Sequence, residues 1–111
     1  MSLIYKILPA SEWREAQAKG VFEGSAIDLT DGYIHLSTAG QAQETARRYF
    51  KDKPDLMLLA VPTEGLGEAL KWEPSRGGDL FPHLYATLPI SAVVEARALS
   101  LDADGVPVLG L

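Results

Sequence analysis

Apolar and polar positions along this chain change period several times, and the pattern predicts two helices and roughly six strands. Leu3-Ile4-Tyr5-Lys6-Ile7-Leu8 is a run of strand-forming residues that stops at Pro9, which has no N–H to continue a ladder, so it predicts a first strand. Ser11 then opens a segment from Glu12 to Lys19 that is acidic at its start and basic at its end. Gly20 stands where a C-terminal cap belongs, which predicts a short helix. Val21 to Gly32 has turn residues at Gly24, Ser25 and Asp31-Gly32 and predicts a loop with a short irregular strand. Tyr33 to Leu36 resumes as a strand. Thr38 and Gln41 then form a Thr-x-x-Gln capping box, and Ala39, Ala42, Ala46, Tyr49 and Phe50 recur at three- and four-residue steps. A second helix is expected from about Thr38 to Phe50.

Leu56 to Val61 is continuously apolar over the length of a strand and predicts a central strand buried on both faces. Leu70 to Glu73 alternates and predicts a half-buried strand, while Pro74 to Asp79 reads as a flexible loop. Phe81 to Tyr85 is extended because Pro82 biases its predecessor away from helix, and Leu88-Pro89 closes the segment. Val93 to Leu101 predicts another strand. Asp102 to Gly105 is a turn, and Val106 to Leu109 returns as a hairpin arm that Pro107 confines to an edge. With no repeat or linker, residues 1–111 are expected to form a single α+β domain with a mainly antiparallel sheet.

Composition narrows the chemistry. The chain has no cysteine, which excludes disulfides, thiolate nucleophiles and cysteine-rich metal sites. Ten Lys and Arg against fifteen Asp and Glu leave a formal charge of −5, which counts against DNA and anionic membranes as partners. The longest apolar run, Leu56 to Pro62, falls far short of the roughly 20 residues that span a bilayer. The N-terminus lacks the basic-then-apolar order of a signal peptide, so a cytoplasmic address is expected.

Only two histidines are present, His35 and His83, each in a predicted strand beside a loop. Imidazole serves as acid, base or hydrogen-bond donor near neutral pH, so His35, His83 and Tyr85 are the candidate catalytic residues. Ser37 and Thr38 beside His35, with Trp72 and Arg76 beside the Gly77-Gly78 loop, are the candidate ligand-binding residues, Arg76 being suited to phosphate or carboxylate. No short metal-ligand motif joins the two histidines, and neither Ser37 nor Ser75 sits in a nucleophile elbow. Arg47, Arg48, Lys51 and Lys53 complement the dipole at a helix C-terminus.

Four stretches resemble the small bacterial family called Domain of Unknown Function 952. They are Ile4 to Ile7 with Trp13, Asp31-Gly32-Tyr33-Ile34-His35-Leu36-Ser37-Thr38, Leu70 to Glu73, and Phe81-Pro82-His83-Leu84-Tyr85 with Leu88-Pro89. That family has no settled activity, and its proposed distant relation is to the ADP-ribosyltransferase fold. The resemblance therefore implies an ADP-ribosyltransferase-like domain in which His35 holds a ribose and His83 or Tyr85 stands near the nicotinamide. It leaves the catalytic glutamate unplaced, since Glu95 has no motif around it. The implied function is binding or transfer of an NAD or ADP-ribose type nucleotide at a His35/His83 pocket, with NAD as a substrate and a small nucleotide-like ligand as the partner. The alternatives are a noncatalytic small-ligand-binding module and an interaction protein whose histidines are structural. The oligomeric state is not legible.

Overall fold

Alternation along the first strand decides the architecture. In the computed structural model, which describes residues 2–111 apart from the side chain of Arg76, β1 (Leu3–Pro9) pairs antiparallel with β5 (Leu56–Pro62). β4 (Ser37–Thr38) flanks β1 and β9 (Glu95–Ala98) flanks β5, giving the order β4-β1-β5-β9. Successive side chains on a strand point to opposite faces. Ile4 and Leu8 therefore join Leu59 and Val61 on one face, while Tyr5 and Ile7 join Leu58 and Ala60 on the other. Both faces are covered, which is why β5 reads as an unbroken apolar run.

The first face packs against Trp13 and Ala16 of α1 (Ala10–Lys19), Phe22 of β2 (Val21–Phe22) and Leu88 of β8 (Leu88–Pro89). Ile34 of β3 (Ile34–His35) and Leu84 of β7 (Asp79–Leu84) join the same core. The second face receives Ala42 and Ala46 of α3 (Ala39–Tyr49) and the C-terminal Leu109. α3 starts at the expected capping box, where the Thr38 N–H donates to Gln41 Oε1 at 3.1 Å.

A second antiparallel sheet has the order β3-β7-β6, with β6 spanning Leu70–Ser75. Its register sets Ile34 opposite Leu84 and His35 opposite His83. The expected C-terminal hairpin is present as β10 (Ser100–Leu101) and β11 (Pro107–Val108), closed by the Asp102 N–H to Val106 carbonyl bond of 2.9 Å. Its turn is tied to the loop after α3, because the Asp52 N–H donates to the Gly105 carbonyl at 2.7 Å. Gly105 has φ 82°, a backbone conformation that favours glycine, and a Cβ there would displace the exposed Asp52 carboxylate.

The fold is α+β with mostly antiparallel sheets. α1 begins at Ala10 rather than after Ser11 and β3 is shorter than the expected Tyr33–Leu36, and three departures from the sequence reading are larger. The described residues contain three α-helices rather than two, because α2 (Ala26–Asp31) occupies the expected loop. Ser25 and Asp28 form its capping box and Gly32 ends it in a left-handed conformation, so the turn residues at its two ends are its caps. The strand expected over Val93–Leu101 is split into β9 and β10, with Leu99 packed against the second core and its N–H given to the Leu56 carbonyl at 2.9 Å. The expected loop at 74–79 is short, since β6 runs to Ser75 and only a single 3₁₀ turn over 76–78 precedes β7. Among the described residues, no helix is long and apolar enough to cross a membrane.

Leu59 is wholly buried at the middle of β5, and removing its side chain leaves a cavity between two packed layers. Leu59→Ala should cost about 2–5 kcal/mol in urea unfolding. Ile27→Ala, on the exposed side of α2, should change stability by less than roughly 0.5 kcal/mol.

Candidate functional site

The site is built outward from a buried charge. Lys6 lies between Ile4 and Leu8 on the apolar face of β1 and is only 5% exposed. Its Nζ donates to Asp28 Oδ2 at 2.8 Å and to Oδ1 at 3.1 Å. Asp28, 2% exposed, also accepts the Ser25 N–H on Oδ2 at 2.9 Å and the His35 N–H on Oδ1 at 3.1 Å. Its Oδ1 lies 2.6 Å from His35 Nδ1. Burial alone would push the Asp28 carboxyl up, but the hydrogen bonds from His35, Lys6 and Ser25 and the lysine charge outweigh it and hold it at about 2. Burial draws the Lys6 ammonium below the usual lysine range, against the pull of Asp28.

His35 carries the chain of contacts to the surface, with Nε2 lying 2.9 Å from Oδ2 of Asp31, the last residue of α2. Across the β3–β7 ladder stands His83, its ring centroid 5.6 Å from that of His35 and the planes 67° apart. Tyr33 lies against both. Its ring stacks on His83 at 4.1 Å, sits 4.6 Å from His35 and lies 5.1 Å from Tyr85. His83 is buried, and its Nδ1 lies 2.7 Å from Glu73 Oε1, the same oxygen that accepts the Tyr85 hydroxyl at 2.8 Å. The bonds from His83 and Tyr85 hold the Glu73 carboxyl below its ordinary range. The bond to Glu73 in turn raises the Tyr85 phenol. The Tyr33 phenol is raised by burial and by the nearby carboxylates of Asp31, Glu73 and Asp28.

The arrangement is a pair of imidazoles, each anchored through Nδ1 by a carboxylate, with aromatic rings between and beside them. A carboxylate on one ring nitrogen orients the ring and leaves Nε2 for proton transfer or hydrogen bonding. Among the described residues, no group of three or more His, Cys, Asp or Glu side chains could hold a metal ion.

The structure brings the three candidate catalytic residues His35, His83 and Tyr85 together and leaves most of the candidate ligand-binding residues elsewhere. Ser37 is buried in β4, where its hydroxyl shares a hydrogen bond with Thr45 Oγ1 at 3.2 Å. Thr38 caps α3. Trp72 pairs with Pro82, the strand neighbour of His83, and so stands on the opposite face of the sheet, 45% exposed. Arg76 belongs to the 76–78 turn, and its side chain lies outside the described residues. A cleft of about 480 Å³ lies between α3 and that turn, lined by Gly40, Gln41, Glu44, Arg48, Gly77 and Asp79 and by neither histidine.

The profile of the family described as "Protein of unknown function (DUF952)" matches residues 7–96. The chain belongs to this family. It is similar to protein CC0527 from Caulobacter crescentus, whose crystal structure is 60% identical over 98% of this chain and 96% of that one, with a TM-score of 0.96. A double mutant of CC0527 gives the same identity, coverage and TM-score, and the solution NMR structure of CC0527 is 61% identical over 99% and 95% of the two chains, with a TM-score of 0.89. No curated protein matches the chain.

Sequence reasoning missed Lys6, Asp28 and Tyr33. Lys6 carries a signal in hindsight, being the one charged position in an otherwise apolar strand, as does the Ser25-x-x-Asp28 spacing of a capping box. A carboxyl held low by native contacts stabilises the fold fully above its ordinary value and loses that contribution as the pH falls through the folded one. For Asp28 the window runs from 3.8 down to about 2. Carboxyl-carbon NMR should place its midpoint near 2, with unfolding free energy falling across that window; a midpoint at 3.8 would contradict the buried ion pair.

Proposed function

We propose that the face carrying His35 and His83 binds a nucleotide of the NAD or ADP-ribose type. The observation that carries the reading is the direct cross-strand pairing of His35 with His83, each ring held at Nδ1 by a carboxylate. A ribose presents hydroxyl groups that match a histidine Nε2 and a carboxylate, and Asp31 supplies that carboxylate beside His35. Tyr33, His83 and Tyr85 offer an aromatic surface to a flat base or nicotinamide ring. The distant fold-level relation proposed between this family and the ADP-ribosyltransferases supports the same assignment by analogy, with His35 at the ribose and His83 or Tyr85 at the reacting end. The proposal takes the chain as one cytoplasmic domain acting on a small ligand.

Glu73, hydrogen-bonded to His83 and Tyr85, is the carboxylate on the His83 side of this site. Glu95 is exposed on β9 opposite Ala60 and lies 3.8 Å from Arg97 Nε, in the other sheet. In turnover, the bond from nicotinamide to ribose C1′ breaks and water adds at C1′, giving ADP-ribose, nicotinamide and a proton. Carboxylates near the developing positive charge would favour that transition state. A second reading, binding without turnover, is favoured by the hydrogen bonds that already engage both Glu73 and Asp31.

Isothermal titration with NAD and with ADP-ribose, paired with His35→Ala and with analysis for free nicotinamide, tests the proposal. Binding that weakens roughly tenfold or more in the variant is expected. Nicotinamide release assigns turnover, and its absence assigns the binding module. No heat with either nucleotide at millimolar concentration would overturn the reading and leave the histidines as structural residues.

A further inference from the structure

We infer that Lys6 and Asp28 are positioning residues for His35, holding its neutral ring in the single tautomer with the proton on Nδ1 and so making Nε2 the ring atom that meets a ligand. The inference deepens the proposed function by naming the working atom of the site, and it rests on that reading only for the identity of the ligand.

The inner end of the ring is fixed. One oxygen of Asp28 takes both the backbone N–H of His35 at 3.1 Å and its Nδ1 at 2.6 Å, so rotation of the ring breaks a bond that the backbone contact keeps in place. An ionised carboxylate only accepts hydrogen bonds, and a neutral imidazole has one N–H to give. That proton therefore sits on Nδ1, and the lone pair is left on Nε2. Lys6 is what keeps the Asp28 charge in an apolar core, contacting both carboxylate oxygens from the far side of the residue. At 5% exposure Lys6 acts through Asp28 and meets no ligand itself.

The outer end is exchangeable. Nε2 faces Asp31, whose side chain is 38% exposed at the end of α2 and is followed by Gly32. A lone pair on Nε2 gains nothing from a second carboxylate, so the Asp31 contact belongs to the doubly protonated ring. When the ring is neutral, a ligand hydroxyl can donate to Nε2 in place of that contact. The other groups around the ring are Tyr33 and His83, with Glu73 and Tyr85 beyond them, and none of them contacts Nδ1.

Long-range proton–nitrogen NMR of the ¹⁵N-labelled chain, followed through the titration of His35, reads which nitrogen keeps the proton in the neutral ring. Wild type and Asp31→Ala should show it on Nδ1. The double substitution Lys6→Met with Asp28→Leu exchanges the ion pair for apolar groups, leaves no unpaired buried charge, and should give a mixture of tautomers. A proton on Nε2 in the wild type, or an unmixed Nδ1 form in the double variant, would overturn the inference; the wild-type spectrum suffices if the double variant does not fold. With NAD as the probe, affinity should fall roughly tenfold or more in the double variant. Equal affinity in the double variant and the wild type would also overturn it. If the wild type binds no NAD, the nucleotide reading fails and the tautomer result stands or falls by itself.

Discussion

A lysine set into the apolar face of a central strand needs a counter-ion that its own sheet does not supply. Moving two charges out of water costs several kcal/mol each, and the attraction between them offsets that only when the remaining hydrogen-bonding positions are filled. Asp28 meets the requirement by accepting from Lys6, Ser25 and His35 at once. Much of the surrounding structure follows from this need. A helix of six residues is too short to persist on its own, and α2 is held by its two caps and by the burial of Asp28. Because α2 is held there, Asp31 and Tyr33 arrive beside His35, and the second sheet is attached to the first through polar contacts as well as the shared core of Ile34 and Leu84.

Elements whose signals are local were legible from residue pattern. β1 ends where Pro9 predicts, α1 ends at Gly20, α3 starts at the Thr38–Gln41 box, and β5 is central because it is apolar on both faces. α2 was not legible, because Gly24, Ser25 and Gly32 are equally good turn and cap residues, and six residues are too few to display a helical period. The split of the strand expected over Val93–Leu101 was hidden for a related reason, since no Gly or Pro marks the break at Leu99 and only tertiary packing reveals it. At the site, the histidines announced themselves by residue type, but which carboxylate holds which ring did not. Glu73 lies ten residues before His83 and Asp28 seven before His35, distances that only strand register and a helix turn can close. Ser37 and Thr38 were adjacent to His35 in sequence and separate from it in space, because the chain leaves the second sheet at Leu36 and joins the first.

The two histidines are unequal. His83 is buried and pinned beneath Tyr33, whereas His35 is partly exposed, with one nitrogen toward the core and the other toward solvent. Tyr33 touches His35, His83 and Tyr85, so displacement of any one ring is felt by the others through direct packing. The close structural match to CC0527 describes the scaffold, and chemistry belongs to the side chains that the scaffold carries.

The β1–β5 ladder also orders the birth of the molecule. The strand carrying Lys6 is synthesised before the strands it meets, since its main partner ends at Pro62 and the second sheet closes only when His83 and Leu84 are in place. α1, α3 and the β6–β7 hairpin close within themselves, while β1 must wait for a long loop to return. The histidine pair is drawn from segments in both halves of the chain, and an intact pair reports that the distant parts of the protein have found one another.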